Sequence, residues 1–216
     1  MMNTKRILKW IYLTGLAAMI GVRSYYVVKH PQKRETNGDK TEKSLLMLQL
    51  LGMQILPLIY VFSGKLNFAD FRLPKKANIA AGLTGAMAFG GAVWLLHRSH
   101  ADLGDNWTTE LQDQENQILV TSGIYRSIRH PMYAAHWLWG VAQSLLLHNW
   151  LAGPALLATF WPLYHHRVPR EEQQMLNQFG DEYRAYMQQT GRVVPKITSP
   201  LLHSPASRPK EADYVA

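Results

Sequence analysis

The chain has 216 residues, no cysteine and a formal net charge of +8. Disulfides and thiolate metal sites are therefore excluded. The basic balance suits either nucleic acid or an anionic membrane surface, and the distribution of charge separates the two.

Asp, Glu, Lys and Arg are absent from whole blocks. Trp10–Val22 is free of them for 13 residues, Ser44–Gly64 and Ala77–His97 for 21 each, and His130–His166 for 37. About 20 apolar residues carry a helix across a hydrocarbon core roughly 30 Å thick. The alternative, a soluble bundle with buried helices, seldom holds two separate charge-free runs of that length. The sequence thus reads as an all-α integral membrane protein, and nucleic acid is not expected as a partner.

The first predicted span is "WIYLTGLAAMIGVRSYYVV", with Arg23 near one end, where a long side chain can snorkel to the interface. It reads as a span and not as a signal peptide. No small-x-small cleavage site precedes a polar start, and Tyr25 and Tyr26 suit interface anchors. A polar loop covers 29–43. The second span, "SLLMLQLLGMQILPLIYVF", carries Pro57 as an expected kink. After a loop at 63–76, the third span has Gly82, Ala86 and Gly90 at four-residue spacing, which would let a neighbouring helix approach closely. A dinucleotide-type glycine loop would instead need a strand before it and a helix after it.

As one helix, the 37-residue block would reach about 55 Å, too long for an ordinary span. His148-Asn149 and Gly153-Pro154 supply turn chemistry near its middle. A tight hairpin follows, with Met132–Leu147 ascending and Trp150–Tyr164 descending, for five spans in all. With the C-terminus inside, Lys and Arg divide 15 to 7 in favour of the inside segments, so a cytoplasmic C-terminus is expected. Beyond the hairpin, Pro169 suits the first turn of a helix over 169–189, with Glu171 and Glu172 at its positive end. The Pro- and Ser-rich tail, 198–216, reads as disordered. The expected organisation is three helices in 1–98, a core in 99–197 with hairpin 132–164, and the tail.

A hairpin brings its two ends together. Tyr125, Arg129, His130 and Tyr133, entering it, should face Arg167, Glu171 and Glu172, leaving it, in one polar pocket at the membrane surface. Each residue also has a plain structural role open to it: interface anchor, helix start, or complement to a helix dipole.

The combination of "LGDNW" (103–107), "LVTSGIYRSIRHPMY" (119–133), "EEQQMLNQFGDEYRAY" (171–186) and "RVVP" (192–195) resembles the isoprenylcysteine carboxyl methyltransferase family, whose core is shared with phospholipid methyltransferases. The resemblance covers about residues 102–196. It implies a membrane-embedded enzyme using S-adenosyl-L-methionine, with a cofactor pocket built from helices and loops. Carried onto this sequence, Gly123, Tyr125, Arg129, His130, Tyr133, Arg167, Glu171 and Glu172 would hold the cofactor. Arg192, with Glu172, would stand at the reacting groups. Two positions depart from the family pattern: Ala135 stands where glycine is usual, and Ile124 where proline is common.

The residue types suit methyl transfer, an in-line displacement in which the enzyme mainly positions both reactants. A carboxylate can pair with the cofactor's ammonium, and an arginine can hold a carboxylate bidentately. A carboxylate nucleophile is already ionised near neutral pH, whereas an amine must lose a proton. O-methylation of a lipophilic carboxylate such as an isoprenylcysteine is therefore the leading expectation. Lipid N-methylation, transfer to a thiol, and a non-catalytic protein keeping the fold are the alternatives. A membrane di-iron site would need a His-x-x-His-His type cluster, which the sequence lacks, so no metal is expected.

Overall fold

The structure is a computed structural model and describes residues 4–30, 39–104 and 118–196. Asp105–Trp107 of the "LGDNW" motif, most of the polar loop at 29–43, and the tail from Thr198 lie outside the described residues.

Six α-helices make up the described chain: α1 (Thr4–Lys29), α2 (Lys40–Leu50), α3 (Leu56–Ser63), α4 (Lys75–Leu103), α5 (Pro131–Leu147) and α6 (Ala155–Gln189). Helices α2 and α3 form one rod through a π-helical turn at Leu51–Ile55. Among the described residues there is no extended strand, only isolated bridges. Among the described residues three stretches are long and apolar enough to cross a membrane: Thr4–Lys29, Lys40–Ser63 and Lys75–Leu103. Helix α5 has 17 residues, and α6 runs from the charge-free block into charged sequence. Between them these two form the hairpin.

Pro57 does not simply kink the second rod. A proline lacks the N–H that would close its own turn, so carbonyls one turn back lose their partner. The chain takes a π turn immediately before it, with the Leu56 N–H donating to Leu51 O. The freed oxygens are met from neighbouring helices. Gln143 Nε2 donates to Gly52 O at 3.1 Å, and Tyr12 Oη lies 3.3 Å from Met53 O. Tyr12 and Gln143 also meet each other at 3.1 Å. Both are fully buried, so α1, the second rod and α5 are tied together at mid-bundle by bonds that have no competing water.

The small residues of α4 serve two neighbours. A Cβ at Gly82 would meet Leu8 of α1 at 2.8 Å, and one at Gly85 would meet Leu146 of α5 at 2.9 Å, whereas Gly90 faces open space. The close approach therefore runs through Gly82 and Gly85, and the expected Gly82–Ala86–Gly90 stripe is not a single contact face.

The turn between α5 and α6 occupies 148–154, so the descending helix begins at Ala155 and not at the expected Trp150. His148 takes the left-handed conformation (φ 43°), and Asn149 Oδ1 accepts from the N–H groups of Leu151 and Ala152. Asn149 Nδ2 in turn donates to Leu66 O (2.8 Å) and Asp70 Oδ1 (3.0 Å), clasping the turn to the loop after α3. Helix α6 passes through both Pro162 and Pro169 without ending. The sequence suggests a fresh helix at Pro169. The structure instead continues one helix through that point, with Val168 buried just before the proline and Glu172 buried one turn beyond it. The regular helix breaks later, at Gly180 (φ 52°, ψ −121°).

Candidate active site

Two short segments build the floor of the site. Residues 123–126 form a single 3-10 turn that Gly123 enters with φ 59°. The Ile124 N–H donates to Asp102 Oδ2 at 2.8 Å, and Asp102 sits so close to Gly123 that a β-carbon there would collide with its carboxylate. Glycine is thus required twice over, by backbone conformation and by space. The turn buries Tyr125, whose hydroxyl donates to Ser99 O and whose carbonyl accepts from the Tyr186 hydroxyl at 2.6 Å.

The second segment, 127–130, pairs with residues 191–192. Gly191 N donates to Ser127 O at 3.2 Å, Arg129 N to Gly191 O at 2.8 Å, and His130 N to Arg192 O at 2.8 Å. Residues that lie 62 positions apart in sequence thereby run side by side, with Arg129 and His130 on one strand of the clasp and Arg192 on the other.

Glu172 lies at the centre of this clasp, only 4 % exposed. It accepts from Arg129 Nε (3.2 Å) and a terminal nitrogen of Arg129 (3.1 Å). It also accepts from Arg192, at 3.1 and 3.0 Å from Nε and 2.5 Å from a terminal nitrogen. Burial disfavours its charge, but His130 and Arg192 outweigh that and bring its pKa down to about 2. Arg129 spends its remaining donors on Met187 O and on the carbonyl and hydroxyl of Thr190.

Glu171, the next residue, points elsewhere. It accepts from the Tyr133 hydroxyl, and its Oε1 lies 3.6 Å from Arg167 Nε, which is itself 3.3 Å from Glu42. His130 bridges the two acids, with Nδ1 3.5 Å from Glu171 and Nε2 3.4 Å from Glu172. Burial alone would lower the histidine pKa; the two carboxylates overcome it and raise it. His130 Nε2 is buried without an aligned hydrogen-bond partner.

A cavity of about 460 Å³ opens beside this cluster, within the range of small-molecule sites. Tyr125, Arg129, His130, Tyr133, Arg167 and Glu171 line it. Gly123, Glu172 and Arg192 do not: Gly123 shapes the turn, and the other two form the ion pair behind Arg129 and His130. The adjacent acids are thus divided. Successive helical positions are about 100° apart, so the pair cannot share one face. Sequence reasoning leaves that choice open, and the structure puts Glu171 at the cavity.

Several lining residues lack any motif signal. Met19, Ile20 and Arg23 come from α1, Gln49 and Met53 from the second rod, and His136, Trp139 and Phe160 from the hairpin. Only their helical spacing could have indicated them: Ile20, Arg23 and Ser24 share a face of α1, and Tyr133 and His136 one of α5. Ala135, the departure from the family's glycine, is fully buried in the core and does not line the cavity.

Residues 87–177 match the isoprenylcysteine carboxyl methyltransferase family. The match takes in the last part of α4, the turn at Gly123, the hairpin and both acids. A protein-S-isoprenylcysteine O-methyltransferase of Tribolium castaneum is 33 % identical over 92 residues, 43 % of this chain and 33 % of that protein. The Schizosaccharomyces pombe and Homo sapiens proteins of the same name are each 30 % identical, over 83 and 96 residues, covering 38 % and 44 % of this chain and 35 % and 34 % of their own length. The chain thus matches about a third of the length of these relatives. A solved structure of the eukaryotic intramembrane Ras methyltransferase ICMT aligns over 89 % of this chain and 68 % of that one, with a TM-score of 0.49 and 21 % identity. The family match ends at Asn177, so the Tyr183–Arg192 side of the clasp lies beyond it.

Proposed function

We propose that this chain is a membrane-embedded, S-adenosyl-L-methionine-dependent methyltransferase whose substrate is a lipophilic carboxylate of the isoprenylcysteine type. The observation that carries this reading is one cavity with a carboxylate, Glu171, at its polar end and apolar side chains from three membrane helices around the rest.

The residues present fit such a cofactor. Glu171 keeps 20 % of its side chain exposed, enough to pair with an ammonium. Arg167 beside it can take a carboxylate. His130 lines the cavity and is held between the two carboxylates. Tyr183 and Tyr186 offer aromatic faces on the same wall. When bound, the cofactor supplies an electrophilic methyl group on a sulfonium.

The chain's own contribution is to position, exclude water and hold charge. Glu172 fixes Arg129 and the 127–130 segment, and through them the orientation of His130. His130 is pushed toward its protonated form by two carboxylates, which makes it a poor general base. That favours a nucleophile already ionised, hence a carboxylate over an amine. Glu172 and Arg192 act in this reading as positioning residues behind the cavity wall. The site side of the membrane is taken as cytoplasmic, from the Lys and Arg distribution.

The test is transfer of labelled methyl from S-adenosyl-L-methionine into a native lipid and protein extract by the purified protein. Base-labile label, characteristic of a methyl ester, is expected. Label stable to base, or no label above a Glu171→Gln control, would reject the reading.

A further inference from the structure

Two histidines line the cavity, and they are committed differently. His130 is held between Glu171 and Glu172. His136 lies three positions further along α5 than Tyr133, whose hydroxyl holds Glu171. That is about 4.5 Å of helical rise. It therefore sits where the polar end of the cavity gives way to the apolar part. Phe160 stacks on its ring with centres 5.3 Å apart, and the Trp139 ring lies 6.1 Å away. Among the described residues no carboxylate pairs with it.

One ring nitrogen of His136 is already used. Nδ1 lies 2.8 Å from Met132 O, the carbonyl one turn back on α5. A carbonyl can only accept, so Nδ1 carries the proton and, in the neutral ring, Nε2 keeps a lone pair. Nε2 stands on the side of the ring away from that carbonyl, and no donor among the described residues meets it. The residue is half-buried and lines the cavity, so this acceptor opens on the cavity. An unmet acceptor in aromatic surroundings favours an N–H or O–H group over a second acceptor or an apolar atom. It does not suit a carboxylate, which offers lone pairs of its own.

In a substrate of the isoprenylcysteine type, the carboxylate and the isoprenoid are joined through one α-carbon, and that carbon carries the substrate's N–H. The donor thus falls at the same junction between polar and apolar parts that His136 occupies in the cavity. We propose that His136 Nε2 accepts a hydrogen bond from this amide N–H and is a specificity-determining residue of the site. This rests on the methyltransferase reading above and narrows its substrate: an acylated amino acid is selected over a lipophilic acid that lacks the N–H. Phe160 and the bond to Met132 hold the ring before any substrate arrives, so little ordering is left to pay on binding.

The test uses the full-length protein in phosphatidylcholine nanodiscs. Two probes are compared: N-acetyl-S-farnesylcysteine, and its ester isostere, in which oxygen replaces the amide N–H while the carboxylate and farnesyl group are kept. Affinity is read by displacement of tritiated N-acetyl-S-farnesylcysteine, and S-adenosyl-L-methionine affinity separately by calorimetry. Wild type should bind the amide about 2- to 12-fold tighter than the ester, the range of one neutral hydrogen bond. His136→Asn can keep a bond to Met132 O but has no atom at the Nε2 position, and should bind both probes alike. Partitioning into the bilayer is common to every protein and cancels between them, and a loosened fold would weaken both probes together. Cofactor affinity should be unchanged. A His136→Asn protein that keeps the wild-type preference overturns the proposal, as does wild type that binds the two probes alike. Loss of S-adenosyl-L-methionine affinity in His136→Asn would give the acceptor to a hydroxyl or amino group of the cofactor and also overturn it. If His136→Asn does not fold, His136→Leu decides by the same ratio. Methyl transfer to both probes with equal efficiency overturns the proposal alone. Discrimination in binding without methyl transfer overturns the enzymatic reading alone, and wild type that binds neither probe overturns the substrate reading beneath the proposal.

Discussion

Replacing Glu172 by glutamine removes the charge on which two arginines converge. Their fates differ with exposure. The Arg192 side chain is 49 % exposed and can turn into water, at a cost within the ~1 kcal/mol of a surface pair. The Arg129 side chain is 7 % exposed and cannot. It keeps its bonds to Met187 and Thr190 but loses the carboxylate facing Nε and one terminal nitrogen. Leaving a buried charge without its partner costs about 3–5 kcal/mol. The low end applies here, since three bonds to Arg129 remain. At roughly 2–4 °C per kcal/mol for a chain of this length, Glu172→Gln should lower the melting temperature by about 6–12 °C. Arg192→Gln should lower it by no more than about 4 °C. The double variant Arg129→Gln/Glu172→Gln should recover part of the loss, because the stranded charge is gone. Thermal unfolding in detergent, followed by intrinsic fluorescence, measures all three. Equal destabilisation by Glu172→Gln and Arg192→Gln would refute the argument from burial, and so would additivity in the double variant.

Glu171→Gln should weaken S-adenosyl-L-methionine binding by about 10- to 150-fold in calorimetry while changing the melting temperature far less than Glu172→Gln does. The pH dependence of stability has two arms. His130 has a raised pKa, so its contribution is complete below the ordinary histidine value near 6.5 and is lost as pH rises through the folded value. Glu172 has a lowered pKa, so its contribution is complete above the ordinary value near 4.5 and is lost as pH falls toward about 2. Melting temperature should therefore be highest between about pH 5 and 6.5, and His130→Gln should remove the alkaline arm and also shrink the acid arm, because His130 helps to hold the Glu172 pKa down. Gly123→Ala should cost at least ~1–2 kcal/mol from the left-handed backbone alone, with the clash against Asp102 added, and should reduce cofactor binding through displacement of Tyr125. Arg192→Lys should fold and bind cofactor, yet transfer methyl groups more slowly, since one ammonium cannot match the fork that now grips Glu172; full turnover would remove Arg192 from the positioning role.

The membrane class, the helices and the hairpin were legible because each is written locally. Hydrocarbon excludes charge, so blocks such as 77–97 and 130–166 announce themselves without any knowledge of neighbours. The turn at His148–Pro154 is likewise spelled by residues whose backbone preferences act over a few positions. Local rules misplaced only what depends on packing. Pro169 looks like a helix start in sequence, yet α6 runs straight through it, with Val168 and Glu172 buried on either side. Gly82, Ala86 and Gly90 look like one face until α1 and α5 claim Gly82 and Gly85. The motifs brought Arg129, His130, Glu171 and Glu172 to one place, but their division of labour came from tertiary structure. The pairing of 127–130 with 191–192 buries Glu172 between two arginines, and helical geometry then turns Glu171 toward the cavity. Arg23 shows the limit most clearly. In sequence it is a lone charge near the end of a span, indistinguishable from an interface anchor. Only the packing of α1 against α4, which sets His100 beside it, aims that charge into the cavity, because a side chain's partners across a bundle are decided by helix contacts and not by the residues next to it in the chain.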